Sequence, residues 1–167
     1  NWELMLPHDA MQHGQYYKMR VHWEGGEGER IPAWAQRVVQ DEASKIFSAQ
    51  VWAPAEPYVW KKKTFKAQTS PLLIYECHIG MAQDEEKVGT YNEFREKVLP
   101  RIIKDGYNAI QIMAIQEHPY YGSFGYHVSS FFAASSRFGT PEELKALIDE
   151  AHKNLSLIHI SEPTRPY

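Results

Sequence analysis

The sequence predicts an α/β protein in which the end of a β-sandwich is followed by the start of a (β/α)8 TIM barrel. Two observations predict this division. Within residues 1–55, apolar and polar side chains alternate with a period of two, which is typical of half-buried antiparallel strands. After residue 71, apolar runs and helical spacings follow in the order strand, helix, strand, helix, the order that builds a parallel sheet.

Composition restricts the class of protein. The chain carries 18 Lys and Arg against 21 Asp and Glu, and we expect no nucleic-acid partner because such surfaces need a basic excess. No apolar run is long enough for a membrane span, so we expect no membrane partner. The single cysteine, Cys77, excludes an internal disulfide and favours a reducing, cytoplasmic location. We expect no cofactor, and the oligomeric state is not indicated.

Residues 1–55 are expected to be the tail of the sandwich, whose beginning would lie upstream of Asn1. Residues 1–6 already alternate like a strand. A second strand is predicted for residues 17–23, where apolar side chains alternate with charged ones. The glycine-rich residues 25–28 predict a hairpin-like bend after that strand.

Residues 56–71 are predicted to be an ordered linker, because prolines punctuate them and Lys61, Lys62 and Lys63 form a short charge run. Two roles fit the aromatic residues in and beside the linker. They stack on sugar rings, or they pin the linker to the neighbouring domain, which is the interpretation we favour. The residues concerned are Trp52, Tyr58, Trp60 and Phe65.

Residues 72–154 are predicted to form two strand–helix units. The first strand covers residues 72–79, and Thr90 with Glu93 has the capping-box spacing that begins a helix. Pro100 interrupts the apolar helical spacing and predicts a kink, while Gly106 predicts a left-handed helix end. The apolar helix positions are Phe94, Val98, Leu99, Ile102 and Ile103.

The second unit begins with an apolar strand, predicted over residues 107–115. A polar and aromatic loop follows it, and the next helix is predicted to begin after Thr140, with Pro141 in its first turn and Glu143 completing a capping box. Its buried face is predicted to consist of Leu144, Leu147, Ile148 and Ala151. A complete barrel needs about 250 residues and eight strands, so further units are expected downstream.

The last residues do not continue this pattern. A glycine and a third buried strand are expected after Asn154, but the chain continues as LSLIHISEPTRP. These letters resemble the translation of a common transposase-type sequencing adapter. We therefore interpret residues 155–167 as an adapter-derived tail, leave them out of the fold prediction and assign none of their side chains to a site. A genuine C-terminal tail is the alternative.

Three stretches resemble the α-amylase superfamily, and most closely the 1,4-α-glucan branching enzymes. They are IYECHIGMAQDEEKVGTYNEF, the long run from VLPRIIKDGYNAIQIMAIQ through EHPYYGSFGYHV to SSRFGTPEELK, and more loosely ERIPAWAQRVVQD. The resemblance implies a carbohydrate-binding β-sandwich before an amylase-type barrel. It also implies transfer of α-1,4-glucan segments to form α-1,6 branches, with glycogen, amylose or amylopectin as the polysaccharide partner.

The resemblance also implies the site. In that superfamily a Gly-Tyr pair after the second strand places a tyrosine ring beneath the sugar at the cleavage point, and here the pair is Gly125 and Tyr126. We predict Tyr126, Gly125, His118 and Tyr121 as substrate-binding residues. A direct role for His127 is not expected. The catalytic nucleophile and general acid of these enzymes come from later strands, so no catalytic residue is predicted within this chain.

Other interpretations of the same residues are weaker. Glu76 and His78 on the first strand, with Glu117 and His118 on the second, include metal-ligand types, but no tight ligand spacing accompanies them, and we predict no metal site. Glu76 and Glu117 also resemble a glycosidase carboxylate pair, which the family resemblance disfavours. The remaining alternatives are a non-catalytic glucan-binding protein that uses Tyr126, Trp52 and Trp60, a debranching enzyme, and a non-functional fragment with an exposed sheet edge.

Overall fold

The structure is a computed structural model that describes residues 4–62, 71–113 and 115–155, together with the backbone of one further strand. The strands in chain order are β1 (Tyr16–Tyr17), β2 (Met19–Trp23), β3 (Gly26–Arg30), β4 (Val38–Gln40), β5 (Phe47–Gln50), β6 (Ile74–His78), β7 (Ala109–Met113), β8 (Gln116–Glu117), β9 (Ser130–Ala134) and β10 (Leu157–Ser161). The α-helices are α1 (Tyr91–Glu93), α2 (Leu99–Lys104) and α3 (Pro141–Asn154). A π-helical segment, Phe94–Val98, joins α1 to α2.

Within the described part of the chain the strands form four small sheets, and together with the helices they make the fold mixed α/β, as the sequence predicts. β1, β5 and β4 make an antiparallel sheet in that order, and β2 pairs with β3 as a hairpin. β8 and β9 pair antiparallel at the loop that follows β7. β6, β7 and β10 form a parallel sheet with β7 in the centre.

The N-terminal strands differ from the sequence prediction. Residues 4–6 are not in a strand, and residues 1–3 lie outside the described part of the chain. The single strand predicted over residues 17–23 is divided at Lys18, because Tyr17 pairs with Ala49 of β5 whereas Met19 pairs with Arg30 of β3. β2 is exposed along its whole length, so the alternation of apolar and charged side chains in this strand does not correspond to a buried face. The hairpin bend is present but lies at Glu24 and Gly25, with Gly25 at φ +85°, because Gly26–Arg30 already forms β3.

The main core lies between the parallel sheet and the helices. Ile110 and Ile112 of β7 are fully buried, and the predicted helical positions Phe94, Leu99 and Ile102 pack with them. The buried members of this core are Cys77, Ile79, Tyr91, Phe94, Leu99, Ile102, Ile110, Ile112, Ile115, Phe138, Leu147, Ala151 and Leu155. Leu144 is partly buried against this core, whereas Ile148 is not part of it.

Both predicted helix starts are confirmed. Thr90 and Glu93 form a complete capping box, and Thr140 and Glu143 form another at the start of α3. In each case the threonine hydroxyl accepts from the backbone N–H three residues on, while the glutamate accepts from the threonine N–H. Gly106 follows α2 with φ +88°, as predicted.

Where the sequence predicts a kink at Pro100, the structure has a π-helical turn that ends just before the proline. The N–H of Leu99 donates to the carbonyl of Phe94, which is five residues back instead of four. In a regular helix the Pro100 ring would clash with the carbonyl of Glu96, and the wider turn removes that conflict. The helix then restarts as α2 with Pro100 in its first turn, where a missing N–H costs nothing.

Two of the four aromatics in and beside the linker, Trp52 and Tyr58, are bonded to α3, as the favoured interpretation predicts, whereas Trp60 is 42% exposed and packs against Tyr58. The indole N–H of Trp52 donates to Glu142 over 2.6 Å, and the Tyr58 hydroxyl donates to Asp149 over 2.8 Å. Asp149 also accepts from the backbone N–H groups of Lys61 and Lys62. The sequence did not indicate this buried aspartate, and Phe65 lies outside the described residues.

Part of the C-terminal segment that the sequence analysis left out of the fold is paired in the sheet. Leu157–Ser161 lies parallel to β7, with Leu157 opposite Ala109 and Ser161 opposite Met113. The physical reason is that the open edge of β7 offers unpaired backbone groups to any segment of strand-forming residues that follows α3. Leu155 is buried in the core immediately before this strand.

Among the residues that the structure describes, no helix combines the length and apolar character needed to cross a membrane.

Candidate functional site

The predicted site lies where the parallel strands β6 and β7 end. His78, the last residue of β6, is opposite Met113, the last residue of β7, so both strands deliver the chain to the same edge of the sheet. Loops at this edge of a parallel sheet are where ligands commonly bind. The loop after β7 contributes β8, a 3₁₀ turn at Tyr121–Ser123 and the returning strand β9.

Tyr126 is presented to solvent by a double turn. The N–H of Phe124 donates to the carbonyl of Tyr121 over 2.8 Å, and the N–H of Tyr126 donates to that of Ser123 over 3.0 Å. Between them, Phe124 at φ +50° and Gly125 at φ +83° are both left-handed. A bulky residue in that region is energetically unfavourable, and such strain is commonly found at ligand sites. The Tyr126 side chain is 48% exposed.

Tyr121 and His118 lie deeper than Tyr126. The Tyr121 hydroxyl donates to the carbonyl of Gly80 over 3.1 Å, which connects the loop to the end of β6. His118 is fully buried, with its Nδ1 3.0 Å from the carbonyl oxygen of Gln116 and its Nε2 without a protein partner. Of the four predicted residues, Tyr126 is therefore exposed, Tyr121 is half-buried, and Gly125 and His118 are buried.

Glu117 is enclosed beneath the loop. Its Oε2 accepts from the N–H of Ser136 over 2.6 Å and its Oε1 accepts from the N–H of His118 over 3.2 Å. The side chain is fully buried, and this burial raises the pKa of the Glu117 carboxyl despite those hydrogen bonds. The carboxylate therefore ties β8 to the turn at Ser136–Phe138, and it does not face solvent.

Phe138 joins the imidazoles of the two strand ends. Its ring centroid lies 5.5 Å from that of His78 and 6.1 Å from that of His118. His78 Nδ1 accepts from the N–H of Gly80 over 3.1 Å. Burial, with a smaller contribution from His118, lowers the pKa of His78. Both rings therefore act as interior groups that support the loop.

The two carboxylates considered as a glycosidase pair have unlike surroundings. Glu76 is exposed and lies opposite Gln111 in the parallel pair, whereas Glu117 is buried. Across residues 4–62, 71–113 and 115–155, no group of three or more His, Cys, Asp or Glu side chains is placed to hold a metal ion. Burial raises the pKa of the Cys77 thiol to about 12, which keeps that sulfur protonated.

Sequence reasoning missed the contact between the first sheet and this edge. The Arg37 guanidinium donates through Nη1 to the carbonyl of Gly139 over 3.0 Å and lies 4.6 Å from the Trp52 ring centroid. An open groove of about 580 Å³ beside it is lined by Arg37, Gln40, Glu117, Ser136 and Arg137, among others. Arg37 lies immediately before β4, and a single arginine outside a strand or helix has no periodicity that distinguishes an interface role from a surface one, so no sequence signal was available.

Comparisons with known proteins identify the relatives of this chain. It is 51% identical over 159 residues to 1,4-α-glucan-branching enzyme 2-2, chloroplastic/amyloplastic, of Arabidopsis thaliana, which covers 91% of this chain and 20% of the relative. The chain is homologous to 1,4-α-glucan-branching enzymes. The branching enzyme of Saccharomyces cerevisiae is 48% identical over 163 residues, or 91% of this chain and 22% of that enzyme. The branching enzyme of Dictyostelium discoideum is 44% identical over 158 residues, which are 91% of this chain and 23% of that enzyme.

The chain thus spans about a fifth of the length of the branching enzymes that it matches. No protein-family model matches it. Among solved structures, a Salmonella typhimurium protein described as an α-amylase superposes with a TM-score of 0.65 at 25% identity, over 80% of this chain and 22% of that one. The catalytic module of the glycogen-degrading pneumococcal virulence factor SpuA superposes with a TM-score of 0.67 at 18% identity, over 87% of this chain and 27% of that one. The fold is therefore one that α-amylase relatives share.

Proposed function

We propose that this chain is a segment of a 1,4-α-glucan-branching enzyme, which transfers α-1,4-glucan segments to form α-1,6 branches in glycogen or starch. The single observation that carries the proposal is the identity of 44–51% to branching enzymes across about nine tenths of the chain. In this proposal residues 1–55 end a carbohydrate-binding β-sandwich, residues 56–71 are the linker, and residues 72–154 are the first two β/α units of the barrel.

The proposed reaction is a retaining transfer between glucan chains. A carboxylate attacks the anomeric carbon while a carboxylic acid protonates the departing oxygen. The 6-hydroxyl of a second glucan then gives its proton to that now-ionised acid and displaces the enzyme carboxylate. We assign neither group to this chain, because Glu117 is buried and hydrogen-bonded beneath the loop. The segment contributes to substrate positioning instead.

Tyr126 is the residue proposed to contact substrate. An aromatic face buries the C–H groups of a glucose ring without blocking its hydroxyls. The exposure of the Tyr126 ring and the left-handed turn that precedes it support this role. Gly125 gives the turn its conformation, Tyr121 fixes the loop to Gly80, and His118 fills the space beneath the loop.

An α-glucan is the proposed partner of this chain. A cytoplasmic location stays a prediction, because one relative carries the name chloroplastic/amyloplastic.

The experiment that tests the proposal uses the complete reading frame to which this sequence belongs. The purified protein is incubated with amylose, and new α-1,6 linkages are measured by their anomeric proton signals in NMR. We expect such linkages to form, and we expect Tyr126→Ala to slow their formation by roughly tenfold or more through loss of one stacking contact. Tyr120→Ala is the matched control, since Tyr120 is an exposed tyrosine in the same loop. Hydrolysis without new branches would contradict the proposed activity.

A further inference from the structure

An open cavity lies between the linker, the π-helical segment and α3. Its volume is about 420 Å³, which is within the range of pockets that take small molecules. The linker contributes Tyr58, Lys61 and Lys62 to its lining, and the π-helical segment contributes Arg95. None of its described lining residues belongs to the loop after β7, so this cavity is separate from the site at Tyr126.

The lining of the cavity is positively charged, unlike the chain as a whole. Four cationic side chains and two carboxylates line it, which gives the cavity a formal charge of +2, whereas the chain has a formal net charge of −3. A local excess of one sign in a concave site concentrates the electric field there and attracts ions of the opposite charge. The charged lining residues are Lys61, Lys62, Arg95, Lys153, Asp149 and Glu150.

Both carboxylates already have partners within the protein. Asp149 is buried, and its two oxygens accept hydrogen bonds from one hydroxyl and two backbone N–H groups of the linker. Glu150 pairs with Lys153 over 3.4 Å. Across the described part of the chain, neither Lys61 nor Lys62 forms an ion pair. The ammonium groups of these two lysines are therefore available to an anion from solution.

The structure holds the base of each cation in place. Lys61 and Lys62 are exposed, but Asp149 anchors the backbone from which both side chains extend. The Arg95 side chain is only 29% exposed, and its Nη2 lies 2.9 Å from the carboxylate of Glu96, which does not line the cavity. Anchored donors lose less conformational entropy when a ligand binds to them.

We propose that this cavity binds a phosphate group, either free as inorganic phosphate or carried by a small molecule as a phosphate monoester. Such a group has a charge of about −1.5 to −2 at pH 7 and three strong acceptor oxygens, which match an excess charge of +2. Lysine and arginine side chains donate hydrogen bonds and accept none, so they suit a ligand that only accepts. A carboxylate ligand has one charge and two oxygens, and it would satisfy fewer of these donors.

The ligand is expected to be small because the positive charge is local. A nucleic acid needs a basic excess along an extended surface, and the net charge of the chain is negative. The inference uses only the cavity and its charges, so it does not depend on the proposed function.

The test is isothermal titration calorimetry of the 167-residue chain with glucose 6-phosphate, inorganic phosphate and glucose. We expect saturable binding of glucose 6-phosphate with a Kd of about 1 mM or lower, weakened by added sodium chloride, and no binding of glucose. Equal affinity for inorganic phosphate would show that the phosphate group alone is recognised. A higher affinity for glucose 6-phosphate would show that a phosphorylated small molecule is the preferred source.

Variants test whether binding depends on the cavity. Each lost charge-assisted hydrogen bond should weaken binding, so we expect Arg95→Gln, and the double variant Lys61→Gln with Lys62→Gln, each to raise the Kd by about tenfold. Arg95→Lys keeps the charge and should lose less affinity. Lys104→Gln is the matched control, because Lys104 is an exposed lysine on α2 that does not line the cavity. Circular dichroism of each variant verifies that it is folded.

Trypsin gives a second measurement on the unmodified chain. A phosphate group bound to the lysine ammonium groups covers the side chains that trypsin must take into its own pocket. Saturating glucose 6-phosphate should therefore slow cleavage after Lys61 and Lys62 several-fold, whereas cleavage after Lys45, an exposed lysine between β4 and β5, should not change. Glucose should protect none of these sites.

Three results would overturn the inference. They are no saturable binding of either phosphate compound by folded wild type, equal Kd values for wild type and the cavity variants, and an equal loss of affinity in Lys104→Gln. The last result would mean that affinity follows the net charge of the chain and not the cavity. None of them affects the branching assay on the complete reading frame, and a failure of that assay leaves the phosphate site standing.

Discussion

At the scale of single residues, polar side chains that are close together in one loop differ in burial. Glu117 and His118 are buried beneath the loop, whereas Tyr126 is exposed on a left-handed turn. The sequence grouped these polar residues correctly at one strand end, because the order of strands and loops is legible from apolar runs. The sequence could not show which of these side chains are buried. Their burial depends on contacts with Ser136 and Phe138, which lie in a later turn of the chain.

The stability of the chain should depend on the ionisation of Glu117. Burial raises the pKa of this carboxyl in the folded state, so its contribution to stability is complete below the unfolded value near 4.5 and is lost as pH rises through the folded pKa. Glu117→Gln cannot ionise. Its free energy of unfolding, measured by urea titration, should therefore increase relative to wild type as pH rises through that window. A difference that is independent of pH would contradict this, and Glu56→Gln, at an exposed position, is the control.

Cys77 should be chemically inert in the folded chain. Burial raises its thiol pKa to about 12, and the thiolate is the form that reacts. We expect Ellman's reagent to label no thiol in the native protein and one thiol per chain in urea. Rapid native labelling would show that β6 opens readily.

At the scale of elements, helix starts were the most predictable feature. The capping residues are local in sequence, so Thr90 with Glu93 and Thr140 with Glu143 could be recognised without tertiary information. The short β8–β9 pair was missed, because two-residue strands carry no periodicity. The exposed β2 was misjudged for a related reason: alternation predicts two unlike faces but does not establish that one of them is covered.

Loss of a cap should weaken the fold by a predictable amount. Thr140→Ala removes the acceptor for the N–H of Glu143, and we expect a loss of about 1 kcal/mol in the free energy of unfolding. Thr140→Ser keeps the hydroxyl and should cost less. Denaturant titration of the two variants beside wild type measures both values; an alanine variant as stable as the serine variant would exclude the capping role.

The linker should be released from α3 when Asp149 changes. The Asp149 carboxylate accepts hydrogen bonds from the Tyr58 hydroxyl and from the N–H groups of Lys61 and Lys62. In Asp149→Asn an NH₂ group replaces one of the accepting oxygens and faces these donors, so at least one hydrogen bond is lost. We expect trypsin to cleave after Lys61 and Lys62 several times faster in this variant, as measured by mass spectrometry over time. Glu150→Gln, which alters an exposed neighbour on α3, should leave the rate unchanged, and equal rates in all three proteins would contradict the anchoring role.

At the scale of the whole molecule, the sequence did not reveal the contact between the first sheet and the part of the chain that contains the parallel sheet. Arg37, which bonds to Gly139, and the Trp34–Phe132 stack both bring together residues about a hundred positions apart. Such pairings arise only when both parts are folded, so no local pattern records them.

The 167-residue chain by itself should not catalyse branching. Neither carboxylate of the proposed mechanism is assigned to it, and Tyr126 can hold a sugar without cleaving it. Incubation with amylose should leave the iodine-complex absorbance unchanged, and its decline with the appearance of α-1,6 linkages would refute this. The complete reading frame, assayed in parallel, is the positive control.

The central claim, that the chain is a segment of a branching enzyme, is tested most directly by reading the coding DNA beyond the codon for Asn154. The account predicts a glycine, a buried strand and an aspartate–histidine motif in place of residues 155–167, followed by the remaining units of a barrel. A reading frame that truly continues through LSLIHISEPTRP and stops after Tyr167 would contradict it.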